Sequence, residues 1–152
     1  SPKELLSTRE IVKECGLFKD PKFKFYMMVE IPTNVIRLEE FINVGIDGVS
    51  IGSNDLTMLI LGTDRDNEEV ATEFNELDPS VLWALKKIID ISNKYSITSS
   101  ICGQAPSIYP ELTQMLVSWG ITSISVNPDV IDSTREIISE AEYKLLNTGK
   151  KS

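Results

Sequence analysis

Four short apolar runs, at 23–29, 48–52, 98–102 and 121–126, alternate along this chain with segments whose apolar residues recur at helical spacing. The runs look apolar on both faces, which calls for strands covered by helices. Strand and helix taken in turn, four times over, specify a parallel sheet in an α/β domain.

The helical segments carry their own boundaries. Ser7 and Thr8 stand before Glu10, Ile11, Val12 and Cys15, with Gly16 as a stop, and predict a short capped helix. Thr33 is the expected cap of a helix through Val35, Leu38, Phe41 and Ile42, closed by Gly45. Asp78-Pro79 opens another, whose face is Val81, Leu85, Ile88 and Tyr95. Pro110 starts a helix with Leu112, Met115, Leu116 and Trp119, and Asn127-Pro128 caps a last one through Leu145. The acidic stretch 62–76 interrupts the alternation and reads as an excursion or lid near the strand ends. Trp83 and Trp119 fall on helices, where they are expected to pack in the core or at an interface. The last residues, Lys150-Lys151-Ser152, read as a frayed tail.

At 152 residues and 41% hydrophobic, the chain suits one globular domain. Fifteen basic against twenty-three acidic side chains give 15 − 23 = −8, which argues against nucleic acid or an anionic membrane as partner. No apolar run is long enough to cross a bilayer, nothing resembles a secretory signal, and a cytoplasmic location is expected. Cys15 and Cys102 are too few for a disulfide framework and are expected to be reduced. With no histidine, the chain holds no Ser-His or Cys-His pair, no His-ligated zinc and no phosphohistidine. Any metal must be bound through oxygen.

The chemistry is concentrated where the apolar runs end. Glu30 and Asp55 each follow a strand in successive units. Two carboxylates at neighbouring strand tips suit Mg²⁺ or Mn²⁺, with substrate and water completing the shell; solvated loop acids or helix caps are the other reading. Gly52, Ser53 and Asn54 put flexible backbone beside Asp55 that would aim N–H groups at a ligand carboxylate, or simply make a turn. Cys102, ending the third run, is either a proton donor and acceptor or a small buried hydrophobe. Asp64-Arg65-Asp66 reads as a solvated charge cluster or a local ion pair.

Four ordered motifs carry a resemblance over roughly residues 7 to 141: Met28-Val29-Glu30-Ile31-Pro32, Ser50-Ile51-Gly52-Ser53-Asn54-Asp55-Leu56-Thr57, Leu61-Gly62-Thr63-Asp64-Arg65-Asp66, and Ile101-Cys102-Gly103-Gln104-Ala105-Pro106-Ser107. Together they resemble the C-terminal region of the PEP-utilising enzymes. The Cys-Gly-Gln-Ala-Pro-Ser run is closer to phosphoenolpyruvate synthases than to pyruvate phosphate dikinases or the first enzyme of the phosphotransferase system.

The resemblance implies a fold and a set of roles. The domain would be the C-terminal half of a (β/α)₈ TIM barrel, four parallel strands with outer helices, binding pyruvate or phosphoenolpyruvate with Mg²⁺ or Mn²⁺. Glu30 and Asp55 would be the metal ligands, and Ser53, Asn54, Asp55, Gly103 and Gln104 would contact or shape the substrate site. Cys102 would be the acid/base that exchanges a proton with the methyl or methylene carbon. ATP and phosphohistidine would act only through further domains of the full enzyme, which converts ATP, pyruvate and water to AMP, phosphoenolpyruvate and phosphate.

Met58 departs from the usual glutamine of the family and Ile108 from a common aspartate. A free-standing half barrel serving as a binding or assembly module is the alternative, and a lyase or aldolase on a related metal-enolate barrel is a further one. Half a barrel leaves two sheet edges, so self-association is expected, with Val29, Val49, Ile51, Ile101, Ile124 and Val126 as candidates to line the uncovered interior, of which alternation lets only some face inward.

Overall fold

The computed structural model describes residues 1–64, 66–67 and 69–148. Its elements run α1 (Pro2–Glu14), β1 (Tyr26–Val29), α2 (Pro32–Ile36), α3 (Leu38–Ile42), β2 (Gly48–Gly52), α4 (Ser53–Leu61), α5 (Pro79–Lys94), β3 (Thr98–Cys102), α6 (Ala105–Ile108), α7 (Pro110–Ser118), β4 (Ser123–Ile124) and α8 (Ile131–Thr148). The four strands form one sheet in the order β1-β2-β3-β4, every pairing parallel. This is the arrangement of half a (β/α)₈ barrel, and β1 and β4 are its two edges.

The register shows which way each side chain points. Val29 pairs with Ile51 and Ile51 with Ile101, while Val49 pairs with Ser99. All of these apolar residues are fully buried in a core shared with Val35, Leu38 and Phe41 and with Val81, Leu85 and Ile88 of α5. Ile124 packs against the same core. The expectation that Val29, Val49, Ile51, Ile101 and Ile124 line the barrel interior is therefore wrong. They point outward under the helices, and Val126 lies beyond the end of β4, half-buried.

The opposite face, the one a complete barrel would enclose, carries Tyr26 and Met28 of β1, Gly48 and Ser50 of β2, and Thr98, Ser100 and Cys102 of β3. Tyr26 and Met28 are more than two-fifths exposed and the serines half-buried. Among the described residues, helices bury one face of the sheet and leave this one open. Reading the runs as apolar throughout overlooked the polar residues of the other face, Ser50 of β2 and Thr98, Ser100 and Cys102 of β3, placed by the period of two that separates the faces of a strand. Near the strand starts, the Tyr26 and Thr98 hydroxyls hydrogen-bond across the sheet over Gly48.

Several boundaries also move. Helix α1 begins at Pro2 behind a capping box of Ser1 and Glu4; Ser7 and Thr8 lie inside it, their hydroxyls bonded to the Lys3 and Glu4 carbonyls. The first strand starts at Tyr26, because Phe23 and Phe25 turn aside to stack edge-on around Phe18. The helix expected from Thr33 has Ile31 as its cap and breaks at Arg37 (φ −109°) into α2 and α3. The fourth strand shrinks to two residues, and Pro128–Val130 is a 3₁₀ turn ahead of α8.

Helix α5 follows its sequence closely. The Asp78 carboxylate accepts from the Ser80 N–H, and Val81, Ala84, Leu85, Ile88, Ile89 and Ser92 make its buried face. Trp83 is 59% exposed on the other face, whereas Trp119 packs against the core. Lys94 and Tyr95 at the end of α5 both bond the Glu39 carboxylate of α3, and these contacts hold it below the usual carboxylate range.

The stretch 62–76 includes a 3₁₀ turn at Ala71–Glu73, and the Thr63 hydroxyl is tied to the Val70 carbonyl at 2.6 Å. Of the proposed Asp64-Arg65-Asp66 cluster, Arg65 lies outside the described residues, as does the tail at Lys150-Lys151-Ser152. No helix among the described residues is long and apolar enough to cross a membrane.

Candidate functional site

Parallel strands point their C-terminal ends the same way, so residues following β1, β2 and β3 meet at one end of the sheet. Glu30 comes one residue after β1, Ser53, Asn54 and Asp55 form the first turn of α4 directly after β2, and Gly103 and Gln104 follow β3. Gly52 pairs with Cys102. Extending the β1 register by one residue sets Glu30 beside Gly52.

Two glycines set the closeness of this cluster. A Cβ on Gly52 would lie 2.9 Å from the Glu30 Cβ and 3.1 Å from its Oε2, so only a bare Cα lets the Glu30 carboxylate lean across β2. Gly103 has φ +122°, and a Cβ there would run into the Ser53 hydroxyl and stand 3.4 Å from Asn54 Oδ1. Ser53 is fully buried, its hydroxyl bonded to the Cys102 carbonyl at 3.4 Å. The tip of β3 is thereby pinned to the start of α4.

The segment expected to be a flexible Gly-Ser-Asn turn is instead helical from Ser53 onward, with Gly52 as its cap residue. That change alters what it can do. The first N–H groups of a helix have no partner within it and carry the positive end of its dipole, which suits a ligand carboxylate. Asn54 is half-buried there and Asp55 exposed. Gln104 is exposed and precedes the short helix α6, which accounts for the compact Ala105-Pro106-Ser107 run; its carbonyl accepts from the Ser107 and Ile108 N–H groups.

Cys102 is half-buried on the open face of the sheet, not in the core. Its thiol lies 3.4 Å from the Ile51 carbonyl, 3.5 Å from the Ser50 hydroxyl and 4.0 Å from Met28 Sδ. Ser50 and Met28 escaped the sequence reading, although the period of two that places them on the Cys102 face was there to be used.

A divalent cation fits the acids present. Neither Glu30 nor Asp55 takes part in a salt bridge among the described residues; Glu30 follows β1, and Asp55 lies in the first turn of α4, after the neighbouring strand β2. No cluster of three or more His, Cys, Asp or Glu able to hold a metal occurs among the described residues. Two carboxylates with substrate and water oxygens is a shell that Mg²⁺ accepts. An apolar groove of about 360 Å³ between α2, α4 and α5, lined by Val35, Ile36, Ile60 and Trp83, includes none of the strand-end residues.

Known proteins resemble this chain along nearly its whole length. Residues 1–143 match the family model described as PEP-utilising enzyme, PEP-binding domain. The chain is 46% identical over 145 residues to a probable phosphoenolpyruvate synthase of Staphylothermus marinus, covering 94% of this chain and 17% of the relative. It is 44% identical over 145 residues to a phosphoenolpyruvate synthase of Aeropyrum pernix, with 94% and 18% covered. A phosphoenolpyruvate synthase of Helicobacter pylori is 46% identical over 126 residues, with 83% and 15% covered. The chain thus spans less than a fifth of the length of these relatives. The match over residues 1–143, together with the parallel half barrel, places the chain in the PEP-binding domain family of the PEP-utilising enzymes.

Proposed function

We propose that this chain is the part of a phosphoenolpyruvate synthase that binds pyruvate and phosphoenolpyruvate with a divalent metal and moves a proton at the substrate's third carbon. The observation that carries the reading is the gathering of Glu30, Ser53, Asn54 and Cys102 around Gly52 and Gly103 at one end of a parallel sheet. Glu30 and Asp55 would hold Mg²⁺ or Mn²⁺, which when bound supplies positive charge that favours the enolate of pyruvate. Asn54 and the first N–H groups of α4 bind and orient the substrate carboxylate, with Gly103 and Gln104 shaping the adjoining wall.

Cys102, as the thiolate, then takes a proton from the methyl carbon: the C–H bond breaks, an S–H bond forms, and the electron pair of the C–H bond passes through to the carbonyl oxygen, leaving a thiol and the enolate. In the reverse direction the thiol returns the proton to the methylene carbon of the enolate. Phosphate arrives on a histidine from elsewhere in the enzyme, since these 152 residues contain none.

Mn²⁺ titration followed by electron paramagnetic resonance tests the metal assignment. Pyruvate is expected to tighten binding, and Glu30→Gln and Asp55→Asn are each expected to weaken it at least about tenfold, a loss of roughly 1.4 kcal/mol. Two variants that bind Mn²⁺ as tightly as the parent would refute a shared site.

The same fold leads us to propose self-association of the chain on its own. Edges β1 and β4 expose unpaired strand backbone, and Tyr26 and Met28 stand on an uncovered face. Sedimentation velocity at micromolar concentration is expected to show a dimer or larger species. A monomer under those conditions would contradict the proposal.

A further inference from the structure

We propose that Ser50 is a positioning residue for proton transfer, holding the Cys102 sulfur and stabilising it once its proton has gone. The inference rests on the acid/base role proposed for Cys102 and adds a residue to it.

A serine is out of place in the middle of β2 by composition alone: Val49 and Ile51 on either side are fully buried. It lies instead on the open face, two positions before Gly52, the pairing partner of Cys102. The Ser50 hydroxyl donates to Cys102 Sγ at 3.5 Å, within the range for a sulfur acceptor. The sulfur in turn reaches the Ile51 carbonyl at 3.4 Å, a backbone group that the sheet fixes in place.

These two partners suit the two states of the thiol. A carbonyl can only accept, so it holds the S–H proton of the neutral form. The serine hydroxyl can donate, and a hydrogen bond from a neutral donor strengthens when its acceptor becomes an anion. When Cys102 gives up its proton, the Ser50 O–H is already aimed at the sulfur and no water need be recruited. Ser50 keeps its own proton throughout. Met28 Sδ, 4.0 Å from the same sulfur, packs on it without that capacity.

Alkylation of Cys102 by iodoacetamide, read by mass spectrometry in a Cys15→Ser background, tests the hydrogen bond without requiring catalysis. Ser50→Ala is expected to slow modification at neutral pH about tenfold, and Ser50→Thr, which restores a hydroxyl, to stay within about threefold of the parent, the scale of one charge-assisted hydrogen bond. Each variant's melting temperature shows that the fold is kept. Ser50→Ala reacting as fast as the parent, or Ser50→Thr as slowly as Ser50→Ala, would overturn the proposal. Pyruvate methyl exchange separates it from the reading beneath it. If Cys102→Ala abolishes exchange while Ser50→Ala leaves kcat intact, only the role of Ser50 falls. If Cys102→Ala exchanges normally, the acid/base assignment falls whatever the alkylation rates. The expected result is a lower kcat in Ser50→Ala with KM little changed.

Discussion

Cys102→Ala should slow metal-dependent exchange of pyruvate methyl protons by roughly a hundredfold or more, the usual contribution of one positioned acid/base group. An alanine methyl keeps the volume near the backbone and removes the proton carrier. Because Cys102 is half-buried on the uncovered face and buries no large apolar group, the fold should tolerate the change, with a melting temperature close to that of the parent. Cys102→Ser is expected to fail almost as badly, since an alcohol is a far poorer proton donor and acceptor near neutrality than a thiol. Cys15→Ala is the control: Cys15 is exposed at the end of α1, and its loss should leave exchange unchanged. Proton exchange in Cys102→Ala at the rate of the parent, with metal and pyruvate bound, would remove the thiol from the mechanism and leave only the carboxylates and amides of the strand ends.

The parallel half barrel was legible because it depends on coarse pattern. Runs such as 48–52 and 98–102 are bounded by glycine and polar residues, and α5 has both a proline start and a repeating apolar face, so their order was readable without coordinates. The facing of the strands was misread for a definite reason. Val49, Ile51 and Ile101 dominate the eye in an apolar count, while the opposite, open face is carried by the residues that alternate with them, Ser50, Ser100 and Cys102.

Long-range contacts were invisible for a different reason. The leaning of Glu30 over Gly52 and the bond from Ser53 to the Cys102 carbonyl join residues 22 and 49 positions apart, and nothing in local spacing reports them. Three of the four motifs resembling the PEP-utilising enzymes span the ends of β1, β2 and β3. They came as whole patterns and could not say that α4 begins at Ser53, inside the segment read as a Gly-Ser-Asn turn. Nor could they show the partners of the Cys102 thiol, because Met28 lies 74 positions away in sequence and Ser50 lies 52.

Gly103→Ala should be the most damaging small substitution at this end of the sheet. At φ +122° any side chain strains the backbone, at a cost of about 1–3 kcal/mol. The new methyl would also collide with the Ser53 hydroxyl, and Ser53, fully buried and held to the Cys102 carbonyl, has nowhere to retreat without moving the first turn of α4. Strain and collision together should lower the melting temperature by roughly 5 °C or more, at the 2–4 °C per kcal/mol expected for a domain of this size. Gly62→Ala separates the two contributions. Gly62 also has a positive φ, +64°, but a Cβ there meets nothing within 4 Å, so it bears the backbone cost alone, about 1 kcal/mol. The two variants should also differ in function. Moving α4 shifts Asn54 and Asp55 away from Glu30, so Gly103→Ala should lose Mn²⁺ affinity even at temperatures where it is fully folded, whereas Gly62→Ala, at the far end of α4, should bind as the parent does. Equal melting temperatures and equal Mn²⁺ affinities for the two variants would mean that the contact between the β3 tip and α4 does not organise the site.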